Sequence, residues 1–92
     1  MPVSFLEVDI RLFGVFSLKE KRSIVKRLLN DIRKKYNVSI IEYENQNSKE
    51  LMTIGISFVS LNKSSAFRTQ ESIIEYLERN FSVENVYKEV YD

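Results

Sequence analysis

Six segments of two kinds dictate what this chain can become. In three of them apolar residues recur at every second position, in one β-branched and aromatic residues cluster, and in two apolar residues recur at helical spacing. The first runs from Ser4 to Leu12, where Leu6, Val8, Ile10 and Leu12 alternate with Glu7, Asp9 and Arg11. A period of two predicts a strand with one buried face. Phe13-Gly14-Val15-Phe16 breaks the pattern, and Ser17-Leu18-Lys19-Glu20 reads as a capping box: Ser17 accepts from the Glu20 amide and Glu20 reaches back to the helix start. Leu18, Val25, Leu28, Leu29, Ile32 and Tyr36 then share one arc at about 100° per residue, which predicts a helix to about Tyr36. Val38 to Glu44 is β-branched and aromatic. Past the polar run Asn45 to Glu50, Met52, Ile54, Ile56 and Phe58 alternate with small residues, so the two segments predict a hairpin. Ser60 to Ser64 supplies N-cap candidates for a second helix, marked by Ala66, Gln70, Ile73, Ile74, Leu77 and Phe81 and ending near Asn80. Val83 to Tyr91 alternates again as a last strand, in which Val86 and Val90 compete with Tyr87 and Tyr91 for the inward face.

In the order βαββαβ, crossovers that return to one face of the same sheet give an α+β, ferredoxin-like domain. It has a four-stranded antiparallel sheet with both helices on one face. The first and third strands fall at the centre. Glu7, Asp9 and Arg11 then lie beside Thr53, Gly55 and Ser57 on an uncovered face expected to be polar and shallow, with the small residues admitting a partner closely. A chain of 92 residues builds one core and is too short for two ordinary domains, so residues 1–92 are expected to form a single domain.

The composition removes whole classes of chemistry. With neither Cys nor His there is no disulfide framework and no usual zinc set, and no Gly-rich phosphate loop or nucleophile elbow occurs. Glu7 and Asp9, about 7 Å apart on one strand face, are the one arrangement suggesting metal or acid–base work. A metal would need further oxygen ligands, and pairing with Arg11 or a neighbouring strand is the simpler role. No metal, cofactor or enzymatic activity is therefore expected. No run approaches the roughly 20 apolar residues of a membrane span, and the N-terminus lacks a signal-peptide pattern, so a cytoplasmic protein without a membrane partner is expected.

The charge is uneven. Residues 1–37 hold nine Lys/Arg against four acids, and residues 38–92 hold five against nine, so the halves carry +5 and −4. Eight of the fourteen Lys/Arg fall on the first helix. Lys19, Arg22, Lys26 and Arg33 lie on one flank about 60 to 120° from the apolar stripe and span about 21 Å, a length comparable to several phosphates of a nucleic-acid strand. Lys21 and Lys35 are expected on a mixed opposite flank near Glu20 and Asp31, and a basic helix face is often no more than a solvated surface. Phe13 and Phe16, beside this basic segment, suit stacking on exposed bases as well as plugging the end of the core. The outward positions Glu7, Asp9, Arg11, Thr53, Gly55 and Ser57 lack the aromatics on which RNA-recognition motifs stack bases, so the sheet is not expected to read RNA.

Leu6-Glu7-Val8 to Leu12, Ser17-Leu18-Lys19-Glu20-Lys21-Arg22-Ser23, Tyr36-Asn37-Val38-Ser39, Gln46 and Thr53-Ile54-Gly55 resemble the small bacterial YlxP-like family over most of the chain. The resemblance implies a ferredoxin-like fold and no named activity. Because the genes of such proteins often lie among those for translation initiation and ribosome maturation, it also implies an RNA or ribosome partner by association. Gln46-Asn47-Ser48-Lys49-Glu50 departs from the family pattern by losing an acid and an aromatic, and Phe13 stands where proline is common. Together these features suggest a non-enzymatic module that binds RNA or the ribosome through the basic flank. The alternative is a protein-interaction module or homo-oligomer using the open sheet face.

Overall fold

All 92 residues are described by the computed structural model. The elements are β1 (Val3–Arg11), α1 (Leu18–Lys35), β2 (Ser39–Glu44), β3 (Leu51–Val59), α2 (Lys63–Asn80) and β4 (Ser82–Tyr91). β1 pairs antiparallel with both β3 and β4, and β2 with β3, giving the sheet order β2-β3-β1-β4. The fold is the ferredoxin-like α+β arrangement that the periodicities imply. Leu6, Val8 and Ile10 of β1 are buried with Met52, Ile54 and Ile56 of β3, under Leu28 and Ile32 of α1 and Ile73 and Leu77 of α2. α1 packs over β2, and α2 over β1 and β4.

Side chains cap both helices. Ser17 Oγ accepts from the Glu20 amide at 3.1 Å, and Asn62 Oδ1 from the Ser65 amide at 2.8 Å. Glu20 reaches one residue further back than a capping box requires, accepting from the Phe16 amide at 3.3 Å. That contact steadies a turn entered through Gly14 at φ +68°, a left-handed conformation that glycine adopts without a Cβ clash.

A bulge resolves the competing alternations of β4. Asp9 pairs with Asn85 and Ile10 with Val83, which leaves Glu84 as an extra residue. Val83, Val86 and Val90 therefore share the helix side, although no single alternation contains all three, while Tyr87 and Tyr91 face the open side opposite Glu7 and Val3. The bulge also brings Glu84 to Arg11, with Nε 2.6 Å from Oε1.

One residue of α1 lies far from its expected place. Lys21 is fully buried, on the same stripe as Val25, Leu28 and Ile32, rather than on an exposed flank near Glu20 and Asp31. Its ammonium donates to the carbonyls of Asn45 at 2.5 Å and Leu51 at 3.0 Å, and at 3.5 Å, the limit of hydrogen bonding, to that of Gln46. It also lies 2.8 Å from Glu42 Oε2. The three ammonium protons are directed at carbonyls, so Glu42 neutralises the charge by proximity without an aligned hydrogen bond. Saturated donors and a nearby opposite charge are what allow an ammonium to be buried. The same contacts fasten the β2–β3 turn to the start of α1.

Candidate nucleic-acid interface

Of the eight Lys/Arg in α1, only buried Lys21 has a carboxylate within ion-pairing distance. Of the six elsewhere, three are paired: Arg11 with Glu84, Lys63 with Asp92 and Lys88 with Glu71. The α1 cations lack partners because the helix carries only Glu20 and Asp31 as acids, and most acids of the second half fall on α2 and β4. Lys19, Arg22 and Lys26 are exposed on the flank toward β2 with no hydrogen bond or ion pair to the rest of the chain. Arg33 shares that flank, but its Nη2 donates to the Ile40 carbonyl of β2 at 3.1 Å, which ties it to the sheet edge. Lys35 lies on the α2 side, 4.9 Å from the centre of the Tyr76 ring. Arg27 and Lys34, which angular reasoning did not single out, are also exposed and unpartnered on the outer surface of the helix. Five free cations therefore cover the solvent side of α1: Lys19, Arg22, Lys26, Arg27 and Lys34.

Phe13 and Phe16 do not plug the core. They are 76% and 81% exposed in the turn that leads into α1, next to the N-terminal end of the basic surface.

The open sheet face has the opposite character. Its acidic residues are Glu7, Asp9, Glu44, Glu84 and Glu89, with Arg11 already paired to Glu84. It is neither uniformly polar nor available for close approach at its centre. A second bulge makes Tyr43 the extra residue between Glu42 and Glu44, and its ring covers Gly55 so closely that a Cβ there would lie 3.2 Å from Tyr43 Cδ1. Thr53 Oγ1 donates to Asp9 Oδ1 at 2.7 Å and accepts from Asn45 Nδ2 at 2.9 Å. At Thr53 and Gly55 the row of small residues is thus occupied by the chain's own side chains, while Ser57 is left beside a shallow pocket. Phe5 also faces this side, edge-on to Tyr87 with ring centres 6.3 Å apart, an outward aromatic that the Glu7–Arg11 alternation already implies.

Hydrogen bonding to Glu7, then burial and the Glu7 charge, push the Tyr43 phenol up to about 12. A raised pKa in the folded state means that the unfolded chain loses this proton first. The Tyr43 contribution to stability is therefore complete below the ordinary tyrosine range near pH 10 and is lost as pH rises toward about 12. Tyr76, through burial, and Tyr87, through its hydrogen bond to Glu89, are also raised, and ultraviolet titration should show Tyr43 ionising among these late phenols, with Glu7→Gln moving Tyr43 down. A titration unchanged by Glu7→Gln would refute this assignment.

The chain is a small α+β protein of ferredoxin-like topology, with a cationic helix on one side and an anionic sheet on the other. It belongs to the family described as protein of unknown function DUF503, whose model matches residues 3–89. It is 29% identical over 76 residues to the uncharacterized protein YlxP of Bacillus subtilis (strain 168), covering 83% of each chain. The de novo designed protein Ferredog-Diesel is similar over 98% of this chain and 84% of its own, with 13% identity and a TM-score of 0.45. No helix is long and apolar enough to cross a membrane.

Proposed function

We propose that this protein is a non-enzymatic module that binds RNA, with ribosomal RNA as the first candidate, through the solvent side of α1. The observation that supports this reading is the set of unpartnered cations Lys19, Arg22, Lys26, Arg27 and Lys34 on one helix, in a chain where half of the basic residues outside that helix are paired. A ligand with regularly spaced phosphates neutralises such a set together and releases its own counterions. The acids of the sheet face repel the same ligand, so it would approach from the helix side.

A charge-matched comparison tests the reading. Lys19→Glu/Arg22→Glu/Lys26→Glu should weaken binding to single-stranded RNA by at least about 100-fold at low salt, whereas Lys63→Glu/Arg68→Glu/Lys88→Glu should change it only a few-fold. In the native protein, affinity should fall with a slope of at most about 3 to 4 in log units against log salt. Equal effects of the two triple reversals would mean that only net charge matters and would overturn the reading. Arg33 is left unchanged because its guanidinium also holds Ile40.

A second reading, a protein-interaction or self-associating module, is favoured by the apolar end of the open sheet face, where Ile41, Val59 and Tyr91 are each more than half exposed. Partners captured equally with and without nuclease would favour it over the first.

A further inference from the structure

The basic surface of α1 does not end on its flank. Lys26 also lines a shallow groove over the outer face of the helix with Ser23, Arg27, Asn30, Asp31 and Lys34. Arg27 and Asp31 in turn line a deeper cleft of about 390 Å³ between the β1–α1 turn, α1 and the end of α2. Flank, groove and cleft thus form one path, joined at Lys26 and then at Arg27 and Asp31.

The cleft differs in kind from the path leading to it. Val15, Ile24 and Phe81 give it apolar walls, and Phe13 stands at its rim with most of its ring in solvent. Its polar lining is of mixed type: Arg11, already committed to Glu84, Arg27, Asp31, Asn80 and Ser82. Arg27 offers free donors, and Asp31 offers a carboxylate. Asn80 donates through Nδ2 to the Tyr76 carbonyl at 2.7 Å, leaving its oxygen to accept. A phosphate is a poor occupant, because Glu84 neutralises Arg11, Asp31 offsets Arg27, and the apolar walls leave an anion unsolvated. A flat heterocycle with donors and acceptors on its edge satisfies both kinds of wall, and the volume lies within the roughly 300 to 1,000 Å³ of small-ligand sites.

We infer that this cleft receives one unstacked base of a single-stranded RNA whose backbone follows the cations of α1. Phe13 would stack on the base, and Arg27, Asp31 and Asn80 would meet its edge. The inference rests on the function proposed above and adds to it a base-accepting pocket, hence a preference for single strands over duplex.

The test uses three fluorescent probes of equal length: single-stranded oligoadenylate, an abasic ribose-phosphate oligomer, and an RNA duplex. The native protein should bind oligoadenylate at least about fivefold more tightly than the abasic oligomer, the lower end of what stacking one base on an aromatic ring contributes. Phe13→Ala removes a largely exposed ring, and Ser82→Leu fills the cleft from an exposed position on β4. Each should erase the preference for bases while leaving abasic affinity and salt slope unchanged. Equal binding of oligoadenylate and abasic oligomer by the native protein overturns the base pocket and leaves the phosphate-binding reading standing. Sensitivity to Phe13→Ala without sensitivity to Ser82→Leu places stacking on the outer ring and also overturns the pocket. Failure to bind any of the three probes overturns both the pocket and the reading beneath it.

Discussion

Lys21→Met is expected to lower the stability of the domain by about 3 to 5 kcal/mol, a large share of the 5 to 15 kcal/mol typical of small proteins. Methionine fills nearly the same space, so the loss is not one of packing. It arises because Glu42 would remain as a mostly buried carboxylate with no cation beside it, and because the carbonyls of Asn45 and Leu51 would lose their donor. Breaking a buried pair by removing one partner costs more than replacing both partners with apolar groups. Lys21→Met/Glu42→Leu should therefore recover part of the stability lost by Lys21→Met alone. Chemical denaturation of the three proteins checks both statements. If the single variant is as stable as the native chain, the ammonium has no structural role.

Val25→Asp is expected to leave the chain unfolded. Val25 lies one turn beyond Lys21 on the same stripe and is 7% exposed. The contrast between the two positions shows what burial of a charge requires. At position 21 the charge meets three carbonyls and a carboxylate, whereas at position 25 a carboxylate would face Leu28 and the apolar interior. The nearby Lys21 is no remedy, because its protons are already committed. An uncompensated carboxylate in such a site costs more than the loss expected for Lys21→Met, enough to exceed what so small a core can absorb. Lys26→Asp, one residue further on but exposed, should change stability by no more than about 0.5 kcal/mol. A cooperatively folded Val25→Asp protein with native circular dichroism would refute the packing of α1.

The element order and core were legible because five of the six segments keep their period over most of their length, and a period states which face is buried. What escaped notice follows from breaks in that counting. Tyr43 and Glu84 are single extra residues in bulges, and each shifts the phase of its strand, so Val83 and Val86 land on the same face despite their spacing of three. Lys21 was misplaced for a different reason. Its chemistry argues for solvent, and only its angle, in line with Val25, Leu28 and Ile32, argues for the core. The angular signal was the correct one. For the candidate interface, helical angles gathered Lys19, Arg22 and Lys26 on one flank. Which cations stay unpaired depends on where distant acids fall in three dimensions, and that singles out Arg27 and Lys34 and ties Arg33 to Ile40.

The sheet order bears on how the chain folds as it is made. β1 is synthesised first yet sits inside the sheet, with β3 on one side and β4 on the other, and its pairing runs from Val3 to Tyr91. Half of its backbone groups therefore wait for the last strand to emerge. Until then the nascent chain holds β1, β2 and β3 with one bare edge of a central strand, a state prone to pairing with other chains. Pairing of such distant segments also slows closure relative to a helical bundle of similar length. The final strand thus sets the moment at which the domain becomes complete.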